Sequence, residues 1–358
     1  MRHLPALLLF LMIALPQPAF AQVVAADSGD TGWTLVCSIL LLAVALPGLM
    51  LRHAGQGNVR NALSVMAQGA GVVAILSLGW AIAGYSLVYA PGGAWLGGSA
   101  NLMLANLAAL REGLTIPESA FILFQMAALL VCAGLLIGAV AERTSLGWFL
   151  AFAPLWMLLV YVPIAHAVWA GGWLAALGVM DFAGALVVHA TAGFSALALA
   201  LIVGARREAA GSGHSPVLSL TGGALLWIGL SGLVGGWALG ATDDAATALL
   251  NHHFAACAGA LCWALIDRIL RGRASASGVM AGALAGIAAI AACAALVGSG
   301  GAMLIGGIAA LLSRLGLGVL RRRVDDGAGI FVIHGLGGAT GALLLPLFVL
   351  PWLGGVGF

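Results

Sequence analysis

The sequence has few charged residues and no lysine. Charged residues make up 7% of its 358 residues, whereas about a quarter of a typical soluble domain is charged. A surface facing water cannot be built from so few charges, which excludes an ordinary soluble domain. The formal net charge of +2 is too small to indicate a nucleic-acid partner. Because 63% of the residues are hydrophobic, we predict a protein surrounded by lipid.

Common signatures of enzymes and metal sites are also missing. We find no G-x-S-x-G, P-loop, H-E-x-x-H or dinucleotide-binding pattern. The five cysteines lie in apolar runs without a C-x-x-C pair, which indicates small buried residues. His252 and His253 are adjacent, so on a helix they point in different directions and share a metal poorly. We therefore expect no enzymatic activity, no cofactor and no metal.

The first residues have the features of a signal peptide. Arg2 and His3 precede the apolar stretch 4–15, which is too short to span a membrane, and 19–21 is a small-x-small cleavage site. We predict a signal peptide over 1–21 and a membrane domain over 22–358, with the N-terminus outside the cytoplasm. An uncleaved anchor is the alternative.

Long apolar segments predict an all-α polytopic membrane protein. A helix needs about 20 residues to cross a bilayer, and we count about ten such segments after Asp30. Backbone embedded in lipid must satisfy its own hydrogen bonds, and these runs do not alternate as barrel strands do. The predicted segments are 33–51, 62–82, 118–140, 147–167, 182–203, 217–237, 246–266, 277–297, 300–320 and 329–350.

The arginines predict the orientation. With the N-terminus outside, only Arg111 lies on the outside, apart from Arg2 in the signal region. Basic residues concentrate on the cytoplasmic side of membrane proteins, so we predict an inner (plasma) membrane protein in this orientation. The loops and helix ends predicted to lie inside hold Arg52, Arg60, Arg143, Arg206, Arg207, Arg268, Arg271, Arg273, Arg314, Arg321, Arg322 and Arg323.

One pattern occurs twice. Residues 181–189 read D-F-A-G-A-L-V-V-H and open the fifth segment, and residues 326–334 read D-G-A-G-I-F-V-I-H and open the tenth. Gly193 and Gly338 match at the same offset. Five crossings separate the copies, so they enter the membrane from opposite sides. This predicts an inverted-topology repeat, whose substrate site usually lies near the membrane midplane.

The repeated histidines and aspartates are the candidate chemical groups. His189 and His334 lie eight residues into their segments, about 12 Å deep at 1.5 Å per residue, so both approach the middle of the bilayer. Two neutral imidazoles can share one proton and hydrogen-bond a small neutral molecule. The alternative is that both merely bond backbone carbonyls. Asp181 and Asp326 can cap their helices, and Asp181, at the outer mouth, can also attract cations.

Beyond these features, the sequence from about residue 28 to its end resembles the ammonium transporter (Amt/MEP/Rh) family. The fifth segment looks like the signature stretch of that family. Matching context is found at Pro47-Gly48, 61–64, 84–87, Phe124-Gln125, 141–143, 163–169, 323–326 and 353–358.

The resemblance implies a homotrimer whose subunits are right-handed bundles of two inverted five-helix repeats, here about 31–204 and 215–350. Each subunit would hold one pore, whose outer vestibule attracts ammonium. The ion loses a proton, and the neutral molecule passes the two histidines. By match to the family, His189 and His334 are the pore pair, and Asp181 and Trp169 recruit the substrate. A tryptophan ring can bind a cation by its face; an interfacial belt tryptophan is the alternative for Trp169.

Several positions depart from the family pattern. The pore gate, usually two stacked phenylalanines, here matches Phe124, with Ala128 and Leu233 at the other expected positions. Trp237 stands where a vestibule serine is expected, and either adds a second aromatic wall that recruits the substrate or plugs the vestibule. Further departures are Arg52-His53-Ala54-Gly55 in place of an aromatic-Gly-Gly stretch, Ala291-Ala292 in place of Thr-Pro, and Gly329 in place of Asp.

The sequence therefore predicts transport of ammonium or ammonia through a twin-histidine hydrophobic pore with deprotonation of ammonium. The altered mouth motivates an alternative, a non-conducting or weakly conducting ammonium-binding sensory paralogue, and a neutral-gas conductor like the Rh branch is a third option. The family continues beyond the tenth segment with an eleventh helix and a tail that contacts a PII-type regulator. The sequence given ends before that tail, which makes this partner doubtful.

Overall fold

A computed structural model of the chain describes residues 26–206, 213–320 and 323–357. The predicted signal peptide, 1–21, lies outside the described residues. Within these ranges the chain is helical and contains no strand. This confirms the predicted all-α class.

Nine described helices are long and apolar enough to cross a membrane. They correspond to nine of the predicted segments, and a shorter tenth helix corresponds to the remaining one. In chain order the helices are α1 (Ser28–Gln56), α2 (Val59–Tyr89), α3 (Glu118–Val140), α4 (Leu146–Ala176), α5 (Ala185–Val203), α6 (Pro216–Gly236), α7 (Asp243–Arg271), α8 (Ala276–Ile290), α9 (Ser299–Leu320) and α10 (Phe331–Phe348).

Helix α8 is shorter than the sequence predicts. The predicted segment 277–297 is helical only as far as Ile290, and turns follow. The carbonyl oxygens of Ala291 and Ala292 accept hydrogen bonds from the backbone N–H groups of Ala183 and Phe182, at 2.7 and 2.9 Å. Helix α8 therefore stops just before the two carbonyls that bind the segment leading into α5. Hydropathy alone does not show this, because the turns are as apolar as the helix.

Small residues bring helices α1 and α6 into backbone contact. A side chain at Gly48 would meet the backbone of α6, and one at Gly222 or Gly229 would meet the backbone of α1. Membrane helices gain little from burying apolar surface against each other, since lipid is equally apolar. Close backbone approach is therefore what the abundant glycine provides here.

Helices α5 and α10 run in opposite directions and cross at a second set of glycines. Helix α5 ends where α10 begins, since Arg206 bonds Asp325 at 2.7 Å. Gly193 of α5 touches the backbone of Gly335, and Gly338 of α10 touches the backbone of Ala185. The first helices of the two repeats thus pack together, and so do the fifth helices. This arrangement confirms the predicted inverted five-helix repeats, while their exact boundaries stay predictions.

We predict that Gly193→Ala destabilises the protein. The added methyl group would press on backbone atoms of α10 that cannot move aside as a side chain can, and overpacking costs about 1–3 kcal/mol. Gly307→Ala in α9 is the matched control, because nothing lies within 4 Å of its added methyl group. Thermal unfolding in detergent should show a lower midpoint for Gly193→Ala only. Equal midpoints would contradict the close crossing.

Candidate functional site

The candidate site begins with a cap at the start of α5. The Oδ2 atom of Asp181 accepts hydrogen bonds from the N–H groups of Leu186 and Val187, both at 2.9 Å. Gly184 adopts φ 93°, a left-handed conformation that favours glycine. The chain can therefore turn from the loop into the helix with its first N–H groups satisfied.

The start of α10 repeats this cap. Asp326 accepts hydrogen bonds from the N–H groups of Phe331 at 3.0 Å and Val332 at 3.1 Å, and Gly329 has φ 77°. Burial raises the pKa of Asp181 and of Asp326 to about 6, although the backbone hydrogen bonds act in the opposite direction. The bonds explain why carboxylates are tolerated in buried positions. They assign both aspartates a capping role.

Each of the two helices opens with a wide π-helical turn that contains one histidine. These turns are Ala185–Ala190 and Phe331–Gly335. A π-helical turn leaves carbonyl groups without their usual partner, and such turns are frequent at functional sites. One of these carbonyl groups finds a partner nearby, since the Thr191 hydroxyl donates a hydrogen bond to the Leu186 carbonyl at 3.0 Å.

The structure brings His189 and His334 into contact at the crossing of α5 and α10. Their Nδ1 atoms are 3.1 Å apart, the ring centroids 5.1 Å apart, and the ring planes differ by 17°. Both residues are about 1% exposed. At this distance one Nδ1 donates a hydrogen to the other, so the pair holds one shared proton. The Nε2 atom of His189 is buried and has no hydrogen-bond partner among the described residues.

Aromatic rings cover the approach to this pair from the face where α5 begins, here called the Asp181 end. The indole N–H of Trp169 donates to the Asp181 carbonyl at 2.8 Å, which fixes the ring beside the α5 cap. Trp237 lies between Trp169 and Phe124, with ring centroids 3.9 and 5.6 Å away. Leu233 lies one turn before Trp237 and is fully buried.

Trp237 packs directly on Trp169. A cation held between two indole faces needs room for its own diameter, but the centroids of Trp169 and Trp237 are 3.9 Å apart. The rings therefore contact each other and leave no space for an ion between them. In this conformation the contact of Trp237 with Trp169 and Phe124 occupies the side of the histidine pair where α5 begins.

A polar cavity of about 950 Å³ lies at the other face of the bundle, here called the Asp326 end. Asp325 lies at its wall and bonds Arg206 through both carboxylate oxygens. Burial alone would raise the pKa of Asp325, but the bonds and charge of Arg206 outweigh it and hold that pKa well below its usual range. Asp267 likewise bonds Arg314 at 2.6 Å. The cavity thus gathers several of the arginines predicted to face the cytoplasm.

Arg52 also lines this cavity. In the sequence it is one of the arginines predicted to lie inside and a departure from the family pattern. Its further signal is a charge next to the end of the apolar segment 33–51, since charges in membrane helices often mark function. The adjacent pair His252 and His253 shows no shared site: His252 is buried against the Trp227 carbonyl at 3.3 Å, and His253 is exposed.

The chain is similar to known membrane transport proteins. The Ammonium Transporter Family matches residues 32–356. The chain belongs to this family. An ammonium transporter of Bacillus subtilis is 37% identical over 325 residues, which cover 89% of this chain and 80% of that protein. Ammonium transporter Amt1 of Archaeoglobus fulgidus is 34% identical over 333 residues, covering 92% and 83%.

A solved structure shows the same ammonium transporter fold. Mep2 of Saccharomyces cerevisiae matches with a TM-score of 0.87 and 30% identity, covering 94% of this chain and 80% of that one. Family and fold together support ammonium transport by a multi-pass membrane protein. The relatives are named as transporters, a non-enzymatic class, which confirms the expectation that this ammonium transporter family member is not an enzyme.

The Asp181 cap gives a prediction that separates structure from charge. Asp181→Asn keeps an oxygen that can accept the N–H groups of Leu186 and Val187, whereas Asp181→Ala keeps none. We expect Asp181→Ala to lose about 1–2 kcal/mol of stability and Asp181→Asn to lose less. Thermal unfolding in detergent measures both. If Asp181→Asn were as unstable as Asp181→Ala, the negative charge and not the cap would be what the fold requires.

Proposed function

We propose that this protein moves ammonium nitrogen across the membrane as neutral ammonia, through a passage at the crossing of α5 and α10. The observation that carries the proposal is the contact between His189 and His334, 3.1 Å apart and almost fully buried. Ammonium would approach at the Asp181 end and release a proton to the water there before it enters. The neutral molecule would then pass along the two imidazoles.

The apolar surroundings of the pair explain why deprotonation is required. Moving a bare ion through an apolar region carries a prohibitive charge cost, whereas a neutral molecule loses mainly hydrogen bonds. Val187 and Val332, beside the two histidines, are buried and apolar. Potassium resembles ammonium in size and charge but has no proton to release. A passage that admits only the neutral form therefore distinguishes the two ions.

The imidazole pair supplies what an ammonia molecule loses on leaving water. Ammonia offers N–H donors and one lone pair, and the outer nitrogen atoms of two neutral imidazoles can accept and donate. The unpartnered Nε2 of His189 is such a group. The shared proton between the rings also provides a route by which a proton can pass from one ring to the other.

The wider setting of the proposal follows the sequence analysis. We propose that the Asp181 end faces outward and the Asp326 end faces the cytoplasm of a plasma membrane, with the N-terminus outside. The support is the collection of arginines around the cavity at the Asp326 end. Assembly as a homotrimer stays a prediction from the family resemblance.

Removing either imidazole tests the transport proposal. In proteoliposomes with a trapped pH dye, an ammonium gradient should change the internal pH faster than in protein-free vesicles. His189→Ala and His334→Ala should each lower the rate to that of protein-free vesicles, because a single ring cannot form the pair. His214→Ala is the control, since His214 is exposed and contacts the Gly57 carbonyl instead.

Two outcomes would contradict the proposal. Unmodified protein that is no faster than protein-free vesicles would exclude transport, and calorimetric ammonium binding by that same preparation would support the sensory alternative. Conduction that survives both histidine substitutions would place the passage elsewhere in the bundle.

The contact between Trp237 and Trp169 predicts a gain of function. Trp237→Ser removes the ring that closes the mouth, so we expect a severalfold faster pH change in the same vesicles. Trp352→Ser is the matched control, because Trp352 is 73% exposed and its ring contacts neither Trp169 nor Trp237. An unchanged or lower rate for Trp237→Ser would show that the mouth does not limit conduction.

A further inference from the structure

Arg52 is a buried arginine near the end of α1, at the Asp326 end of the bundle. The residue is 3% exposed, and it lines the cavity of about 950 Å³ together with Val332 and Ile333, the two residues before His334. Its side chain crosses to α6, where Nη1 lies over Gly223. The neighbouring His53 instead packs against Gly138 of α3. Of these two basic residues, only Arg52 reaches the cavity wall.

The Arg52 charge has no carboxylate partner within 4 Å among the residues that the structure describes. Four other arginines do have a carboxylate partner. Arg206 pairs with Asp325 and Glu142, Arg271 and Arg314 share Asp267, and Arg111 pairs with Glu118. The remaining carboxylate at the cavity wall, Asp326, directs both oxygen atoms at the first N–H groups of α10.

The charge also lies close to the histidine pair. Arg52 and His334 are near enough for their charges to interact. Val332 and Ile333, which line the same cavity as Arg52, carry apolar side chains that do not screen a field as water does. Because low-dielectric walls concentrate the field of a fixed charge, the Arg52 charge contributes a positive potential at this end.

We propose that Arg52 is a specificity-determining residue that excludes cations from the mouth of the passage at the Asp326 end. The inference rests on the proposed transport function. Ammonia that leaves the passage takes a proton from the solution in the cavity, and the new ammonium ion is repelled from the mouth by Arg52. Cations already in the cavity are repelled in the same way. A neutral molecule is not affected, so the exit stays open in a solution full of monovalent cations.

The expected effect is a change in block by a cation that has no proton to lose. Tetramethylammonium, present on both faces of the vesicles so that orientation does not matter, should inhibit ammonia conduction weakly in the unmodified protein. Repulsion between two unit charges a few ångström apart at a partly buried site changes occupancy by about tenfold or more. Arg52→Gln and Arg52→Met should therefore lower the half-inhibitory concentration about tenfold.

A charge series separates this role from a structural one. Arg52→Lys should resemble the unmodified protein, and Arg52→Glu should be blocked at a lower concentration than either neutral variant. Arg271→Gln is the matched control: it removes one positive charge from the same cavity wall, but the Arg271 side chain is 48% exposed and shares Asp267 with Arg314. Its half-inhibitory concentration should stay close to that of the unmodified protein.

The outcomes separate this inference from the proposed function. Variants that conduct ammonia but show no order with charge would overturn the role of Arg52 and leave transport intact. If the unmodified protein conducts no faster than protein-free vesicles, both the proposed transport function and this inference are rejected. Block that increases in the order Lys, Gln, Glu at position 52, with Met equal to Gln, supports the inference.

Discussion

The crossing of α5 and α10 is the constraint on which the rest of the structure depends. Lipid offers no hydrogen bonds, so a polar group in the middle of the membrane needs a partner from the protein itself. Gly193 and Gly338 let the two backbones touch, and only at that separation do His189 and His334 come within hydrogen-bond distance. The same glycines that pack the helices thus determine whether two imidazoles can exist at that depth.

The two aspartate caps make this crossing possible. Each helix of the pair begins within the bundle, where its first N–H groups would otherwise lack partners. Asp181 and Asp326 accept those N–H groups in the same way in both repeats. At the Asp181 end the turn after the shortened helix α8 adds support, because its carbonyls at Ala291 and Ala292 accept hydrogen bonds from Ala183 and Phe182. The symmetry of the two repeats therefore extends to the hydrogen bonds that cap their last helices.

The two ends of the proposed passage differ in chemistry, which breaks that symmetry. The Asp181 end is covered by the aromatic rings of Phe124, Trp169 and Trp237, which can attract a cation on their outer faces. The Asp326 end opens into a polar cavity lined by Arg52, which has no carboxylate within 4 Å among the described residues. On the proposed function, one end collects cations and strips a proton, and the other end repels the cations that form there. A neutral molecule crosses between them.

The sequence by itself determined the class of the protein and its central pair. Hydropathy and length depend on the chain locally, so they predicted the helices, and the repeat at 181–189 and 326–334 predicted that two histidines would meet. Tertiary structure alone decided the length of α8, the contact between Trp169 and Trp237, and the lack of a carboxylate near Arg52 in the described part of the chain. Each depends on which groups distant in sequence approach a given residue. The end of α8 depends on the N–H groups that its following carbonyls meet, the Trp237 contact on the position of Trp169, and the state of Arg52 on the carboxylates within reach. Helices brought together by packing decide those distances, and no local pattern along one helix records them.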